Sequence, residues 1–278
     1  MLKRLHRLVN CMMDCVPRSP TTTSQYDEAK IVDLLSRFYR TLEQYGYLHD
    51  DFGGDDPPTS INWPPPEGRA LDFSELEPEP NELTIDDRVL SLMKKVPTMP
   101  DNYMGVAPLL SGTTFVSADD LAQGRQVMRY GHVYAVPPHM LQLFSGQDEA
   151  GAVLLDVNEN VVRGMDDTTP AHGYPDVDTE PAAEGPYPYP PDLNDWPKVD
   201  APTFLEKMNQ KLLDLDWYPT GTPESEGTMV EPVDERLPHT IELRRILKEE
   251  YHWPGNDFRR DAWIADCETR MEEIGFER

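Results

Sequence analysis

The chain has 278 residues, of which 51 are Asp or Glu and 25 are Lys or Arg, so its formal net charge is −26 at pH 7. This charge argues against nucleic-acid binding, because affinity for DNA or RNA depends on cations that neutralise phosphates. An anionic membrane surface is disfavoured for the same reason. The 28 prolines are about twice the usual share of ~5%, so we expect folded parts joined by acidic, Pro-rich connections.

The cysteines and the apolar runs constrain the cellular compartment. Cys11, Cys15 and Cys267 cannot build a disulfide framework, which favours a reducing compartment, and we expect the cytoplasm. The sequence has no run approaching the ~18 apolar residues of a membrane span. Residues 1–25 are basic and rich in hydroxyl side chains. They are predicted to form a disordered tail, with mitochondrial import as the alternative.

The first predicted helix covers residues 26–46 and stops near Gly46, because apolar residues recur at spacings of three and four. The next stretch, from Asp50 to Asp87, contains twelve acids, one base and seven prolines, which is incompatible with long regular structure. It is predicted to be an extended arm with two or three anchor points. The apolar candidates for these anchors are Ile61, Trp63, Leu71 and Phe73.

A second helix is predicted over residues 84–96, with Thr84 and Asp87 as a capping box and Pro97 as the stop. A short helix capped by Ser117 and Asp120 is expected between the first two of the strands that follow. The segment from Gly151 to Gly164 is predicted to be a β-hairpin, because a short apolar run is followed by the turn residues 158–160. The predicted strands are 113–116, 133–136, 140–144, 152–157 and 161–162.

The fold class predicted from these elements is α+β, with a small antiparallel or mixed sheet, flanking amphipathic helices and acidic Pro-rich arms. Residues 26–165 form the α+β module, and residues 166–200 are predicted to be an acidic Pro-rich linker. Residues 201–278 are predicted to be a helical segment that packs on the module. Its three helices are expected to carry apolar stripes starting at Phe204, Leu243 and Trp263.

One candidate metal site is a calcium loop in the predicted hairpin. Asp156, Asn158, Asn160 and Asp167 stand at positions 1, 3, 5 and 12 of the EF-hand template. Position 6 requires glycine, but it is Val161, which is poorly suited to a positive φ. Position 8 is the charged Arg163 instead of an apolar residue. The hairpin turn is therefore favoured over a calcium site.

A second candidate metal site lies in the predicted linker. It combines one imidazole with three carboxylates within nine residues, which are His172, Asp176, Asp178 and Glu180. Such donors could meet a divalent cation. A flexible acidic linker, however, offers no rigid support for ligands, so we do not predict a metal there.

Common catalytic motifs are missing from the sequence, including dinucleotide and phosphate loops, the His-Glu-x-x-His zinc motif, Cys-x-x-Cys and the nucleophile elbow. We therefore predict no catalytic, cofactor-binding or metal-binding residues and no cofactor. If the protein is nevertheless an enzyme, the first candidates are His132, His139, Asp156 and Asp166 near the strand ends. The simpler expectation for all four is a solvated polar group.

Two stretches of the chain resemble the SUKH superfamily. Leu141 through Arg163, LQLFSGQDEAGAVLLDVNENVVR, is similar to its central hairpin, with Glu159 and Asn160 where that family usually has Gly. Ala201 to Leu215, APTFLEKMNQKLLDL, is similar to its following helix. The resemblance implies a non-catalytic α+β module that binds other proteins, as fungal regulators of cell-wall synthesis and bacterial immunity proteins do. Two further stretches, LLSRFYRTLEQYGYL and INWPPPEGR, resemble proteins of filamentous fungi.

Two functions from different classes are consistent with the sequence. The first is a non-catalytic interaction or regulatory protein, an acidic adaptor whose partner is another protein, such as a basic one. The second is an enzyme or small-ligand-binding protein that uses dispersed residues. We expect the first, because catalytic motifs are missing and acidic arms flank apolar helices.

Overall fold

The computed structural model describes residues 25–45, 61–71, 85–98, 113–115, 126–129, 132–146, 152–164, 193, 198–219, 230–232 and 238–275. Within these ranges the predicted α+β class is confirmed. The helices are α1 (Glu28–Tyr45), α2 (Asp87–Met93), α3 (Ala201–Asp214), α4 (Pro238–Glu249) and α5 (Arg260–Glu273). The strands are β1 (Thr113–Phe115), β2 (Gln126–Arg129), β3 (His132–Ala135), β4 (Met140–Gly146), β5 (Val153–Asp156), β6 (Val161–Gly164), β7 (Lys198–Asp200), β8 (Trp217–Pro219) and β9 (Val230–Pro232).

The main sheet has five strands in the order β1-β4-β5-β6-β7, and every neighbouring pair is antiparallel. Two further antiparallel pairs are β2 with β3 and β8 with β9. Side chains alternate between the two faces of a strand, so the register assigns each residue to a face. Leu155 pairs with Leu141 and Val162, and these three belong to the main core. Leu154 and Arg163 pair on the opposite face.

The main core lies between the sheet and the helices α1, α2 and α3. The predicted apolar face of α1 is buried as expected, and Phe38 packs edge-to-face on Phe144 of β4 with ring centroids 6.4 Å apart. In α3, the Asn209 side-chain amide donates to the Leu34 carbonyl of α1 at 3.0 Å. Helix α3 therefore packs directly on α1, with Phe204, Leu205, Met208 and Leu212 in the same core.

A second, smaller core joins α4, α5 and the loop between them. Its buried members are Leu215, Leu243, Ile246, Leu247, Tyr251, Trp253 and Trp263. The predicted stripe of α5 is only partly covered, because Trp263 is buried whereas Cys267, Met271 and Ile274 are half-buried. Hydrogen bonds also link this core to the helices of the main one. The Trp253 indole donates to the Leu213 carbonyl at 3.1 Å, and Arg260 Nε donates to the Glu43 carbonyl at 3.2 Å.

The structure corrects several predicted elements. The segment 201–278, predicted to be helical, also contains the β8–β9 pair, and α2 ends at Met93 instead of residue 96. Helix α2 begins at Asp87, and its N-cap is Asp86, whose carboxylate accepts from the Arg88 backbone N–H, so Thr84 is not the cap. Strand β7 uses the last three residues of the predicted 166–200 linker. No periodic pattern predicts a strand there, because only Val199 of β7 is buried and the strand depends on pairing with β6.

Several predictions fall outside the described residues. These are residues 1–24 of the predicted tail, the stop at Gly46, the helix capped by Ser117, and residues 166–192 and 194–197 of the linker. Of the predicted anchors of the acidic arm, Ile61 is buried, and Trp63 and Leu71 pack partly buried against the main core. Phe73 lies outside the described residues. In the part of the chain that is described, no helix combines the length and apolar character that crossing a bilayer requires.

Candidate functional site

The predicted hairpin is confirmed over residues 152–164, where β5 and β6 pair antiparallel and Asp156 lies opposite Val161. The turn between them requires one residue in the left-handed region, and Asn160 supplies it with φ of 55°. Asparagine tolerates this conformation better than most non-glycine residues. The Asn160 carbonyl also accepts from the Ala201 backbone N–H at 2.9 Å, which ties the turn to the start of α3.

Asp156 organises this turn with both of its carboxylate oxygens. Oδ1 accepts from the backbone N–H groups of Asn158 at 2.9 Å and Glu159 at 3.0 Å, and Oδ2 lies 3.3 Å from NH2 of Arg163. The side chains of Asp156 and Arg163 are each only 2% exposed. The expectation that Asp156 is a solvated group is therefore wrong. The hairpin register brings Arg163 onto the same face, diagonally across from Asp156, so the carboxylate is buried with a cation.

Three further side chains complete the arrangement. Glu159 Oε2 lies 3.0 Å from Arg163 NH2 and 2.9 Å from Lys198 Nζ on β7. The hydrogen bond from Lys198 holds the pKa of Glu159 below its ordinary value. His139, which is one-third exposed, has Nε2 3.9 Å from Asp156 Oδ2. We call His139, Asp156, Glu159, Arg163 and Lys198 the hairpin-turn cluster.

The N-terminus of α2 is attached to this cluster. Arg88 forms an ion pair with Asp86 at 2.6 Å, donates to the Val157 carbonyl at 3.4 Å and also donates to the Asn158 side-chain oxygen. The hydrogen bonds from Arg88 lower the pKa of Asp86. The Asp86 backbone N–H donates to the Pro138 carbonyl at 3.0 Å. The helix start, the β3–β4 loop and the hairpin turn therefore form one charged surface.

Of the four residues proposed for an enzyme, the structure brings together His139 and Asp156. The backbone of His132 pairs with Arg129 in the β2–β3 ladder, and Asp166 lies outside the described residues. Because Asp156 already uses Oδ1 for two backbone N–H groups and Oδ2 for Arg163, its lone pairs are committed to the fold. This carboxylate is therefore poorly placed to act as a general base.

The same contacts are relevant to the two candidate metal sites considered from the sequence. The calcium template is replaced by the hairpin, because Arg163 occupies the side of Asp156 that a cation would need. Its last position, Asp167, is not among the described residues, and neither are His172, Asp176, Asp178 and Glu180. Across the described ranges, no group of three or more His, Cys, Asp or Glu side chains is placed to hold a metal.

Asp86, Arg88 and Lys198 were not among the residues predicted from the sequence. Arg88 contacts Asn158 from 70 positions away, and Lys198 contacts Glu159 from 39 positions away, so local patterns carry no signal for these contacts. The Asp156–Arg163 pair is different. It follows from the hairpin register, because residues an even number of positions from the paired Asp156 and Val161 share one face.

The opposite charges of this arrangement pair with one another around the hairpin turn. Comparisons with other proteins add no identification. No protein-family model matches the chain, and no curated protein and no solved structure matches it either.

Proposed function

We propose that the protein is a non-catalytic interaction protein, an acidic adaptor of SUKH-like type that binds a basic protein partner. The observation that carries this proposal is the full use of the Asp156 carboxylate by the hairpin turn and Arg163. It makes the hairpin-turn cluster a rigid support, not a reactive centre. The exposed side chains around it, including those of Asp87 and Asn158, are then available for contact with a partner.

The net charge of −26 supports a basic partner. Opposite charges accelerate association and select partners, and their effect weakens as salt screens them. We infer that recognition takes place at the end of the sheet where α2 and the hairpin turn meet. We propose a cytoplasmic location for this activity.

The test begins with the tagged full-length chain, from which a stoichiometric partner is purified and its Kd measured at about 50 and about 300 mM NaCl. We expect the affinity to fall about tenfold or more over this range. Asp87→Lys, beside the hairpin-turn cluster, should weaken binding further. Asp261→Lys is the matched control, because Asp261 is 97% exposed in the first turn of α5, a helix that packs in the second core. Recovery of the chain alone, or equal effects of the two variants, would contradict the proposal.

The alternative is an enzyme or small-ligand-binding protein. The one observation in its favour is the partly exposed His139 beside Asp156 at 3.9 Å. If this alternative is correct, a metabolite screen should reveal a turnover that His139→Ala abolishes. A turnover unchanged by that substitution would exclude a catalytic role for His139.

A further inference from the structure

A second surface lies on the described part of the acidic arm, residues 61–71, which we call the proline loop. Trp63, Pro64 and Pro65 each precede a proline, so their backbones are restricted to extended conformations. The Gly68 N–H donates to the Pro65 carbonyl at 2.8 Å, which closes a β-turn with Pro66 in its second position. Pro65, Pro66 and Glu67 form its exposed tip.

Buried residues hold this tip on both sides. Ile61, on one side, is 3% exposed in the main core. Arg69, on the other, is buried and donates to Thr98 Oγ1 at 2.8 Å, the Asn62 carbonyl at 2.9 Å and the Val96 carbonyl at 2.7 Å. The loop therefore presents its prolines in one conformation, which lowers the entropy lost when a partner binds.

Gly68 shows how closely the loop is fitted to the end of α2. Its φ is +88°, and a Cβ built there would lie 3.1 Å from the Cβ of Lys94. Glycine satisfies both the positive φ and the close approach. The exposed prolines are thus held at a fixed distance from Lys94.

Two exposed cations flank the tip, which itself carries one exposed anion, Glu67. The Arg40 guanidinium lies 5.2 Å from the Trp63 ring centroid, and both Arg40 and Lys94 are exposed. In a chain of net charge −26, the prolines are therefore flanked by two exposed cations. A partner that approaches this tip gains from acidic residues around its binding groove.

We propose that the proline loop is a docking site for a protein domain whose aromatic-lined, acid-rimmed groove recognises consecutive prolines. Such grooves exploit prolines that are already extended, because little conformational freedom remains to be lost. This surface is distinct from the hairpin-turn cluster. Its partner carries acidic residues around the groove, whereas the partner proposed for the hairpin-turn surface is basic. The two proposals can therefore fail separately.

The test uses the full-length protein with three immobilised probes, a purified WW, SH3 and EVH1 domain. At least one should bind with a Kd below about 1 mM. The double variant Pro65→Ala/Pro66→Ala should weaken that binding at least about tenfold, because it removes the prolines that such grooves read. The matched control is Pro238→Ala, which replaces another exposed proline at the start of α4.

A second variant separates binding from folding. Lys94→Glu keeps the prolines but reverses a flanking charge, so it should weaken binding severalfold, whereas Lys248→Glu on α4 should leave it unchanged. Asp87→Lys should also have no effect here. The proposal is overturned if none of the three domains binds, or if binding survives in the double variant. The latter would assign recognition to another Pro-rich stretch, such as residues 186–191.

Discussion

At the residue scale, the buried pair of Asp156 and Arg163 is the feature that most needs explanation. Burying two charges costs several kcal/mol of desolvation, and this cost is offset only when the geometry is good and the remaining hydrogen bonds are made. Asp156 meets that condition through its two backbone donors and Arg163. The pair therefore fixes the turn and its register more than it adds net stability.

Removal of the cation alone should be costly. Arg163→Met leaves the Asp156 carboxylate buried without its ion-pair partner, so the free energy of unfolding should fall by about 3–5 kcal/mol. Urea unfolding followed by circular dichroism would measure it. The control is Asp156→Asn/Arg163→Met, which removes both charges and keeps a side-chain oxygen for the turn, so it should be less destabilising than the single variant. A single-variant effect below about 0.5 kcal/mol would show that the pair is not desolvated.

The ion pair between Asp86 and Arg88 should be detectable in the pH dependence of folding stability. Arg88 lowers the pKa of Asp86 in the folded state. The contribution of the Asp86 carboxylate to folding stability is therefore present above the unfolded pKa of about 3.9 and is lost as pH falls through the folded pKa. Asp86→Asn keeps the helix cap but removes the charge. The variant should be less stable than the parent at pH 7 and equal to it near pH 2. A constant difference across thermal melts from pH 2 to 7 would contradict this.

At the element scale, the acidic arm is attached to the core by a charged residue as well as by apolar ones. The sequence suggested Ile61, Trp63, Leu71 and Phe73 as anchors. Arg69 is the one base between Asp50 and Asp87, and it donates three hydrogen bonds that are buried or partly buried. Its carbonyl acceptors belong to residues 62 and 96, which the Asn62–Thr98 bridge already brings together.

Replacement of Arg69 should therefore loosen the proline loop. Arg69→Met leaves the Thr98 hydroxyl and two carbonyls without this donor, so stability should fall by about 1–3 kcal/mol. Protease cleavage and hydrogen exchange should increase over residues 61–71, while the helices remain intact. Arg37→Met, which disrupts an exposed i,i+4 pair on α1, is the control and should change stability by less than about 0.5 kcal/mol. Unchanged protection in Arg69→Met would show that the apolar anchors suffice.

The helices and strands of the main core differ in how clearly the sequence predicts them. Helix α1 was predicted almost to its ends, because five of its apolar residues follow the helical period and are buried. Strand β7 was not predicted, because three residues with one buried side chain carry no periodic signal. It is defined by the pairing of Val199 with Val162.

At the scale of the whole molecule, the described residues form three apolar clusters, of which the main and second cores are the larger two, and the chain has a large excess of negative charge. Helix α3 belongs to the main core, and Leu215 directly after it belongs to the second. Residue 215 has φ of 63°, which turns the chain away from the helix axis. Arg244 stabilises this exit, because its Nε donates to the Leu215 carbonyl at 3.1 Å.

The net charge should make folding stability sensitive to salt. Self-repulsion among 26 excess negative charges opposes the compact state, and screening it should outweigh the loss from weakened surface ion pairs. Raising NaCl from about 20 to about 300 mM should therefore raise the Tm by about 2–4 °C. Scanning fluorimetry would measure the change, and KCl should give the same result as NaCl. A Tm that falls with salt would show that the ion pairs dominate.

Properties that depend on local order and composition can be predicted from the amino-acid sequence alone. The faces of α1 and α3, the hairpin at residues 152–164 and the acidity of the chain follow from periodicity, turn residues and counts. The Asp156–Arg163 pair could also have been found, because a hairpin register follows from its turn.

The contacts between distant side chains depend instead on the three-dimensional fold. The approach of Lys198 to Glu159, of Arg88 to Asn158 and of Arg69 to Thr98 joins residues 29 to 70 positions apart. These contacts form because packing of the helices on the sheet fixes where the connecting loops lie. A single sequence carries no local signal for them, and for that reason the charged surface and the anchored proline loop emerge only from the fold.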